Sequence, residues 1–255
     1  MHDLTPTLLA FSPIALEEMQ DVLLLDRIDT KYVISQDQLD EYLKAIYDQY
    51  KILVVNGHFL HPYETLYFDT PGYYLFKMHN NGTQNRYKVR FRKYLNSGQA
   101  FFEIKTKSNA HRTIKKRLPV ENIFETLNGP LNKFIADHTT GRLRNFVPVL
   151  RVYFNRITLV NKQGNERLTI DTDIRYSDNH HTEKNIENMV VIEVKQEKIC
   201  FSPFQELLEQ HEQHEHYLSK YCLGVNCMKK DASKSRPGEK VSVLKKLGYN
   251  IHDIS

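Results

Sequence analysis

The chain has no tryptophan, only three cysteines and no long apolar run. Each absence excludes something. Cys200, Cys222 and Cys227 are odd in number and have no CxxC-type pairing, so neither a disulfide framework nor a thiolate metal site is expected. They read as free thiols of a reducing compartment. No stretch approaches the roughly 20 apolar residues of a membrane span. The opening MHDLTPTLLAFSPIALEEMQ lacks the basic and apolar regions of a secretory leader. The formal net charge is only +4, so the surface is not basic throughout, which argues against general nucleic-acid binding. The expectation is a cytoplasmic protein with no transmembrane span of its own, associated with a membrane only through a partner.

What is present is cation at every second position. In NRYKVRFRKY (85–94), Arg86, Lys88, Arg90 and Arg92 alternate with Tyr87, Val89 and Phe91. A period of two places the apolar side chains on one face of a β-strand and the cations on the other. AFFEIKTKS (100–108) and HRTIKKRLPV (111–120) continue the pattern with Glu103, Lys105, Lys107, Lys115 and Arg117. Further predicted strands are DRIDTKYVIS (26–35), KILVVNG, YETLYFDT, VPVLRVYFNRITLVNK (147–162), RLTIDTDIRY (167–176) and NMVVIEVKQE (188–197). They contribute Lys31, Arg156, Arg167 and Lys195, with the acids Asp29, Asp171, Asp173, Glu193 and Glu197.

Helices are predicted over 12–25, over 35–50 capped by Ser35, over 71–82, over 121–140 with a break at Gly129-Pro130, and over 202–224 with Ser202 as cap and Gly224 as stop. The resulting fold class is α+β: mainly antiparallel strands closed into a cation-lined tunnel barrel, with flanking helices. Residues 1–228 form this domain; residues 229–255 are a polar linker and a short C-terminal element.

A solvated sheet face mixes charge signs, because like charges opposite one another oppose pairing. A face of Arg and Lys therefore calls for an external polyanion. Arg offers a fork that grips two phosphate oxygens, and Lys a point charge. A tunnel of such residues, Lys195 among them, suits a thin, densely charged ligand such as a triphosphate or a polyphosphate chain, and excludes duplex nucleic acid. Removing Arg90 or Arg92 is expected to cost little stability, since like-charge crowding is relieved. Glu193 offers the carboxylate a hard divalent cation needs, and equally an ion-pair partner for its neighbours. HEQHEH (211–216) reads as a solvated helix face rather than a metal site, and YFDTPG (67–72) as a strand end and turn.

The ordered segments DRIDTKYVIS, YFDT, YKVRFRKY, FFEIKTKS, RTIKKRLP, VYFNRITL, RLTIDTDI, VVIEVKQE and SKYCLG resemble the vacuolar transporter chaperone family of the triphosphate tunnel metalloenzymes, over roughly residues 24–224. The resemblance implies a polyphosphate polymerase that moves the γ-phosphate of ATP onto a growing polyphosphate chain with Mn²⁺ or Mg²⁺. It implies phosphate-binding roles for Lys31, Arg90, Arg92, Lys105, Lys115, Arg156 and Arg167, with Arg112 at a position that is also basic in the family. It further implies metal binding by Glu193, and a Ser219-Lys220 pair on the C-terminal helix that reaches the tunnel. Lys31, Arg90, Arg92, Lys105, Arg156 and Lys220 are the expected catalytic set. A second lysine that the family carries before the Ser-Lys pair is absent; His216 and Tyr217 stand there. The expected partners are ATP, inorganic polyphosphate and a separate membrane protein that takes the product. Two other readings stay open. One is a triphosphate hydrolase or cyclase, disfavoured because Arg27 replaces an acid in RIDTK. The other is a binding module without turnover.

Overall fold

The computed structural model describes residues 3–22, 28–107, 113–139, 143–163, 166–180, 182–198, 200–228, 249 and 251–254. In chain order the elements are α1 (Thr5–Leu9), β1 (Ser12–Ala15), a 3-10 helix (Glu17–Val22), β2 (Ile28–Ser35), α2 (Gln36–Ile46), β3 (Tyr50–Val54), β4 (His61–Asp69), α3 (Tyr74–Asn80), β5 (Arg86–Tyr94), β6 (Ala100–Lys107), β7 (Thr113–Val120), α4 (Gly129–His138), β8 (Val147–Asn161), β9 (Glu166–Ser177), β10 (Glu183–Ile186), β11 (Met189–Gln196), α5 (Pro203–Gln210), α6 (Lys220–Met228) and β12 (Ile251–Ile254). Among the described residues no helix is long and apolar enough to cross a membrane.

The chain forms two compact units. The first comprises residues 1–62, 154–174 and 188–217. In it β2 pairs antiparallel with β11, and β11 with β9. β3 pairs antiparallel with β8 and parallel with β1. Ser35 ends β2 and starts α2 through a complete capping box: its hydroxyl accepts from the Gln38 backbone, and the Gln38 side chain accepts from the Ser35 N–H. The strand alternation then turns Tyr32 and Ile34, Val190, Ile192 and Val194, and Leu168 and Ile170 into one core with Leu39, Tyr42 and Leu43 of α2 and Phe204 and Leu208 of α5. Lys31, Glu193 and Thr169 take the opposite face by default.

The second unit comprises residues 63–153, 175–187 and 218–255. β4, β5, β6 and β7 follow one another as antiparallel neighbours. Val89 and Phe91, Phe102 and Ile104, and Leu66 and Phe68 bury against Leu75 of α3 and Leu131 and Ile135 of α4. β10 pairs with β9 and with β12, so part of the C-terminal element docks as a strand. The linker segment before it lies outside the described residues.

The mainly antiparallel α+β class is as expected. Closure is not: among the described residues the pairings leave β7 and β12 as edges in the second unit and β1 and β2 as edges in the first, so no barrel closes by strand pairing. The physical reason is plain at β7. Its residues Lys115, Lys116 and Arg117 are exposed, and Pro119 has no N–H to give. Such an edge resists a further strand.

Three local expectations are corrected. Residues 12–15 form a strand and not a helix, with Pro13 opposite Ile52 on the parallel edge, where its missing N–H is tolerated. The helix expected over 121–140 covers only Gly129–His138; Asn128 caps it and Pro130 sits in its first turn. The helix expected over 202–224 is two helices separated by an extended segment, in which the His216 N–H bonds to the Lys31 carbonyl at 2.8 Å. His211, at the end of α5, therefore shares no helix face with His214 and His216. Gly224 does not stop a helix but lies inside α6: a Cβ there would come within 2.4 Å of Tyr176 Cδ1 and 2.5 Å of Leu150 Cδ2.

Candidate functional site

The β5–β7 register decides what stands beside what. Lys88 is directly opposite Lys105, and Lys105 directly opposite Lys115, so one row across three strands is lysine throughout. The next row is Arg90, Glu103 and Arg117, and Arg86 stands opposite Lys107 on the other side. Directly opposed residues share a face, so these cations share one face with Glu103 as the acid at its centre.

Glu103 is only 1% exposed. Its Oε2 accepts from Arg90 Nε at 2.9 Å and from Arg90 Nη2 at 2.7 Å, a fork that a lysine could not supply. Lys115 Nζ lies 3.6 Å from Oε1. Burial works to raise this carboxyl, but Arg90, then Arg92 and Lys115, outweigh it and hold it at about 2. Arg90 also donates to the Tyr67 hydroxyl at 3.2 Å. Arg92 Nε donates to Thr65 at 3.3 Å, and its guanidinium lies over the Tyr63 ring. The Lys115 side chain is 45% exposed, and partial loss of water around its ammonium lowers the pKa to about 8: Glu103 pulls upward, while Arg90, Arg117 and Arg92 push down.

In the first unit the β2–β11–β9 register sets Lys31, Glu193 and Thr169 in one row and Asp29, Lys195 and Arg167 in the next. Glu193 is shared between two ammonium groups, with Oε1 3.0 Å from Lys31 and Oε2 2.7 Å from Lys195. Lys195 is buried and also donates to the Thr169 hydroxyl at 2.5 Å. Burial brings the Lys195 ammonium down to about 7, with Arg156 pushing the same way against the pull of Glu193 and Asp29. Lys31 moves oppositely: burial lowers it, but Glu193, Asp29 and Glu215 together raise it. Arg156 grips Asp171 with Nε at 2.6 Å and Nη2 at 2.7 Å.

Among the described residues no three His, Cys, Asp or Glu side chains are gathered as a metal cage. Glu193 stands between the ammonium groups of Lys31 and Lys195, with Asp29 in the next row. That donor set suits a hard divalent ion that draws its remaining ligands from phosphate and water, and does not suit one caged by protein alone.

Ser219 precedes α6 and Lys220 opens it. The Ser219 carbonyl accepts from the Leu223 N–H at 2.8 Å, and its hydroxyl faces the Cys222 N–H at 3.5 Å, so Ser219 serves as the helix cap. Tyr221, next in sequence, donates to Asp69 at 2.5 Å. Of the residues expected at the site, Lys31, Arg156, Arg167, Glu193 and Lys195 lie in the first unit, and Arg90, Arg92, Lys105, Lys115, Ser219 and Lys220 in the second. Arg112 lies outside the described residues, as does Arg27.

The VTC domain model matches residues 26–229. The chain belongs to the VTC domain family. The match begins just ahead of β2 and ends just past α6, so it takes in every strand that carries a cation row. No curated protein matches the chain. Solved structures similar to this VTC domain include a candidate adenylate cyclase of Bacillus halodurans, at 14% identity and a TM-score of 0.48, covering 76% of this chain and 93% of that one. A protein of Pyrococcus horikoshii matches at 13% identity and a TM-score of 0.44, over 78% of this chain and 98% of that one. A conserved hypothetical protein of Pyrococcus furiosus matches at 13% and 0.43, over 78% and 99%.

Reading strands by alternation found the cations of the VTC domain but not what they rest on. Thr169, Tyr67, Asp69 and Tyr221 carry no periodic signal of their own. YFDT reads as a strand end and SKYCLG as the end of a helix, and neither pattern reveals the bond between Asp69 and Tyr221.

Proposed function

We propose that this VTC domain is a polyphosphate polymerase, transferring the γ-phosphate of ATP to the end of a growing polyphosphate chain. The observation that carries the reading is the Lys88–Lys105–Lys115 row. Like charges in direct register oppose pairing, and a bound polyanion reverses the sign of that contribution. The tunnel implied by the family resemblance, and the phosphate-binding role it implies for Arg112, belong to the same proposal.

In this reading Arg90, Arg92, Lys105 and Lys115 hold phosphate oxygens in the second unit, where Ser219 and Lys220 contribute from the start of α6, and Lys31, Arg156, Arg167 and Lys195 hold phosphate oxygens in the first. An oxygen of the terminal chain phosphate attacks the γ-phosphorus in line; the bond from that phosphorus to the β–γ bridging oxygen breaks, and ADP leaves. The chain gains one phosphate and no side chain becomes covalently modified. Such a transfer asks the protein chiefly for alignment and for positive charge placed in advance. Arg90 is already fixed by two donors on one oxygen of Glu103 and Arg156 by a bidentate contact with Asp171, so their orientation costs little when substrate arrives. Glu193 would hold Mn²⁺ or Mg²⁺, which when bound would supply positive charge against that developing on the transferred phosphoryl group. The proposal also places the enzyme in the cytoplasm, with a separate membrane protein as recipient of the product.

The test is incubation of the purified protein with ATP and Mn²⁺. Long polyphosphate chains support the polymerase. Free phosphate without chains indicates a hydrolase, and binding of tripolyphosphate without either product indicates a binding module.

A further inference from the structure

Asp69 is fully buried at the end of β4. Its Oδ1 accepts from the backbone N–H groups of Thr70 at 2.7 Å and Leu75 at 2.8 Å, and its Oδ2 from that of Phe76 at 2.9 Å. It thereby satisfies the first turn of α3, whose cap residue Tyr73 supplies no side-chain bond. The remaining donor to Oδ2 is the phenol of Tyr221, which arrives from 152 residues further along the chain. The Tyr221 ring is 1% exposed, stacks on Tyr67 with centroids 4.9 Å apart and meets Phe76 edge-on.

Tyr221 is the second residue of α6 and Lys220 the first. One turn on, Gly224 lets the helix backbone approach Tyr176 and Leu150 closer than any side chain would allow. α6 is thus fixed at two successive turns, and the fixing contact nearest its start is a charge-assisted hydrogen bond to a buried carboxylate. A helix pinned at its second residue has little freedom to move its first.

We propose that Tyr221, anchored on Asp69, is a positioning residue that sets Lys220 for phosphate binding. The inference rests on the polymerase reading and names a residue that touches no phosphate itself. Asp69 has a double duty: the same carboxylate caps α3 and aligns α6, so the phenol is the part that can be removed selectively.

The experiment uses the full chain with Tyr221→Phe, Lys220→Ala and the double variant. Phenylalanine keeps the ring and its stack on Tyr67 and removes only the bond to Asp69. Inorganic tripolyphosphate affinity is measured by calorimetry and polymer synthesis by kcat and KM, with thermal melting to count folded protein. Tyr221→Phe is expected to weaken tripolyphosphate binding about tenfold, and to raise KM for ATP, in molecules that remain folded. In the Lys220→Ala background the same change is expected to do nothing further, because the phenol acts through the lysine. Equal losses in both backgrounds, or a lowered melting temperature with unchanged affinity per folded molecule, overturn the proposal and leave Tyr221 as core packing. A wild-type protein that binds tripolyphosphate but makes no polymer removes the polymerase reading while the binding comparison still decides the role of Tyr221. A wild-type protein that does neither removes both.

Discussion

Lys31 and Glu193 stand directly opposite one another on β2 and β11, with Nζ 3.0 Å from Oε1. The carboxylate has its other oxygen on Lys195. Glu193 can serve a metal or merely bridge two ammonium groups, and Glu193→Gln separates these roles. If it holds the metal, turnover falls by about a hundredfold or more, while metal-free tripolyphosphate affinity rises because one negative charge has left a cationic face. Polymer synthesis and calorimetric affinity are measured on the same preparation. Synthesis retained at the wild-type metal optimum would sink the metal role.

Arg90 and Arg92 are expected to part company. Alternation alone treats them as equal members of a repulsive row, with little stability lost on removing either. The structure corrects this for Arg90: it is 9% exposed and forked onto the fully enclosed Glu103. Arg90→Ala strands a buried carboxylate and should cost about 3 kcal/mol, whereas Arg92→Ala should cost well under about 1 kcal/mol. Both should abolish synthesis. Chemical denaturation of the ligand-free variants checks the difference.

The Lys115 ammonium, at about 8 against an ordinary 10.5, gives a pH signature. Its folded value is depressed, so between about 8 and 10.5 the unfolded chain binds more protons at this group, and the contribution of Lys115 to stability rises with pH across that window. Ligand affinity runs the other way. Tripolyphosphate favours the charged form, so binding near pH 8 takes up protons and weakens as pH rises through that range. Calorimetry in buffers of different ionisation enthalpy measures the uptake. Lys115→Arg, which stays charged, should remove the part of the uptake due to this group; unchanged uptake counts against Lys115 as its source.

Tripolyphosphate should raise the melting temperature strongly, by mass action on the folded state, and high salt should diminish the rise. Monophosphate meets fewer cations and should do far less. Equal shifts from the two ligands would point to a single shallow anion site.

Gly224→Ala sets two effects against each other. Helix propensity favours alanine by about 1 kcal/mol. A Cβ at 2.4 Å from Tyr176 and 2.5 Å from Leu150 requires both side chains to move, and overpacking of this kind costs about 1–3 kcal/mol. A net loss is expected, read as a lower melting temperature; a gain would show that the pocket around α6 yields.

What the sequence made legible follows from which forces are local. Period-two alternation sorted Val89 and Phe91 from Lys88 and Arg90, and the register confirms that sorting across β5 and β6, while on β7 the exposed Lys116 stands in the Val89–Ile104 row. The Ser35 cap was also readable, since its partner lies three residues on. The break between α5 and α6 was not. QHEHYLS offers no proline or glycine, and what draws it out of the helix is a backbone bond to Lys31, far back in the chain. Tyr221 is a similar case: its partner Asp69 closes a strand that local pattern explains completely as a strand end. Gly224 has the composition of a stop signal and the environment of a close contact, and composition could not tell the two apart.

The division of the chain bears on biosynthesis. Residues 1–62 need strands from 154–174 and 188–217 to complete their unit, and residues 63–153 need 175–187 and the stretch from 218 onward. No prefix emerging from a ribosome contains a finished unit until Tyr217 has been made, and the Asp69 carboxylate waits for Tyr221. The core of β4–β7 with α3 and α4 lies wholly between Leu66 and Phe146 and can pack early, whereas the apolar face of β2 stays on offer until β11 and α5 have been made. Nascent chains of this protein should therefore depend on chaperones for the first unit above all, and a stop codon before position 217 should leave that unit unfinished.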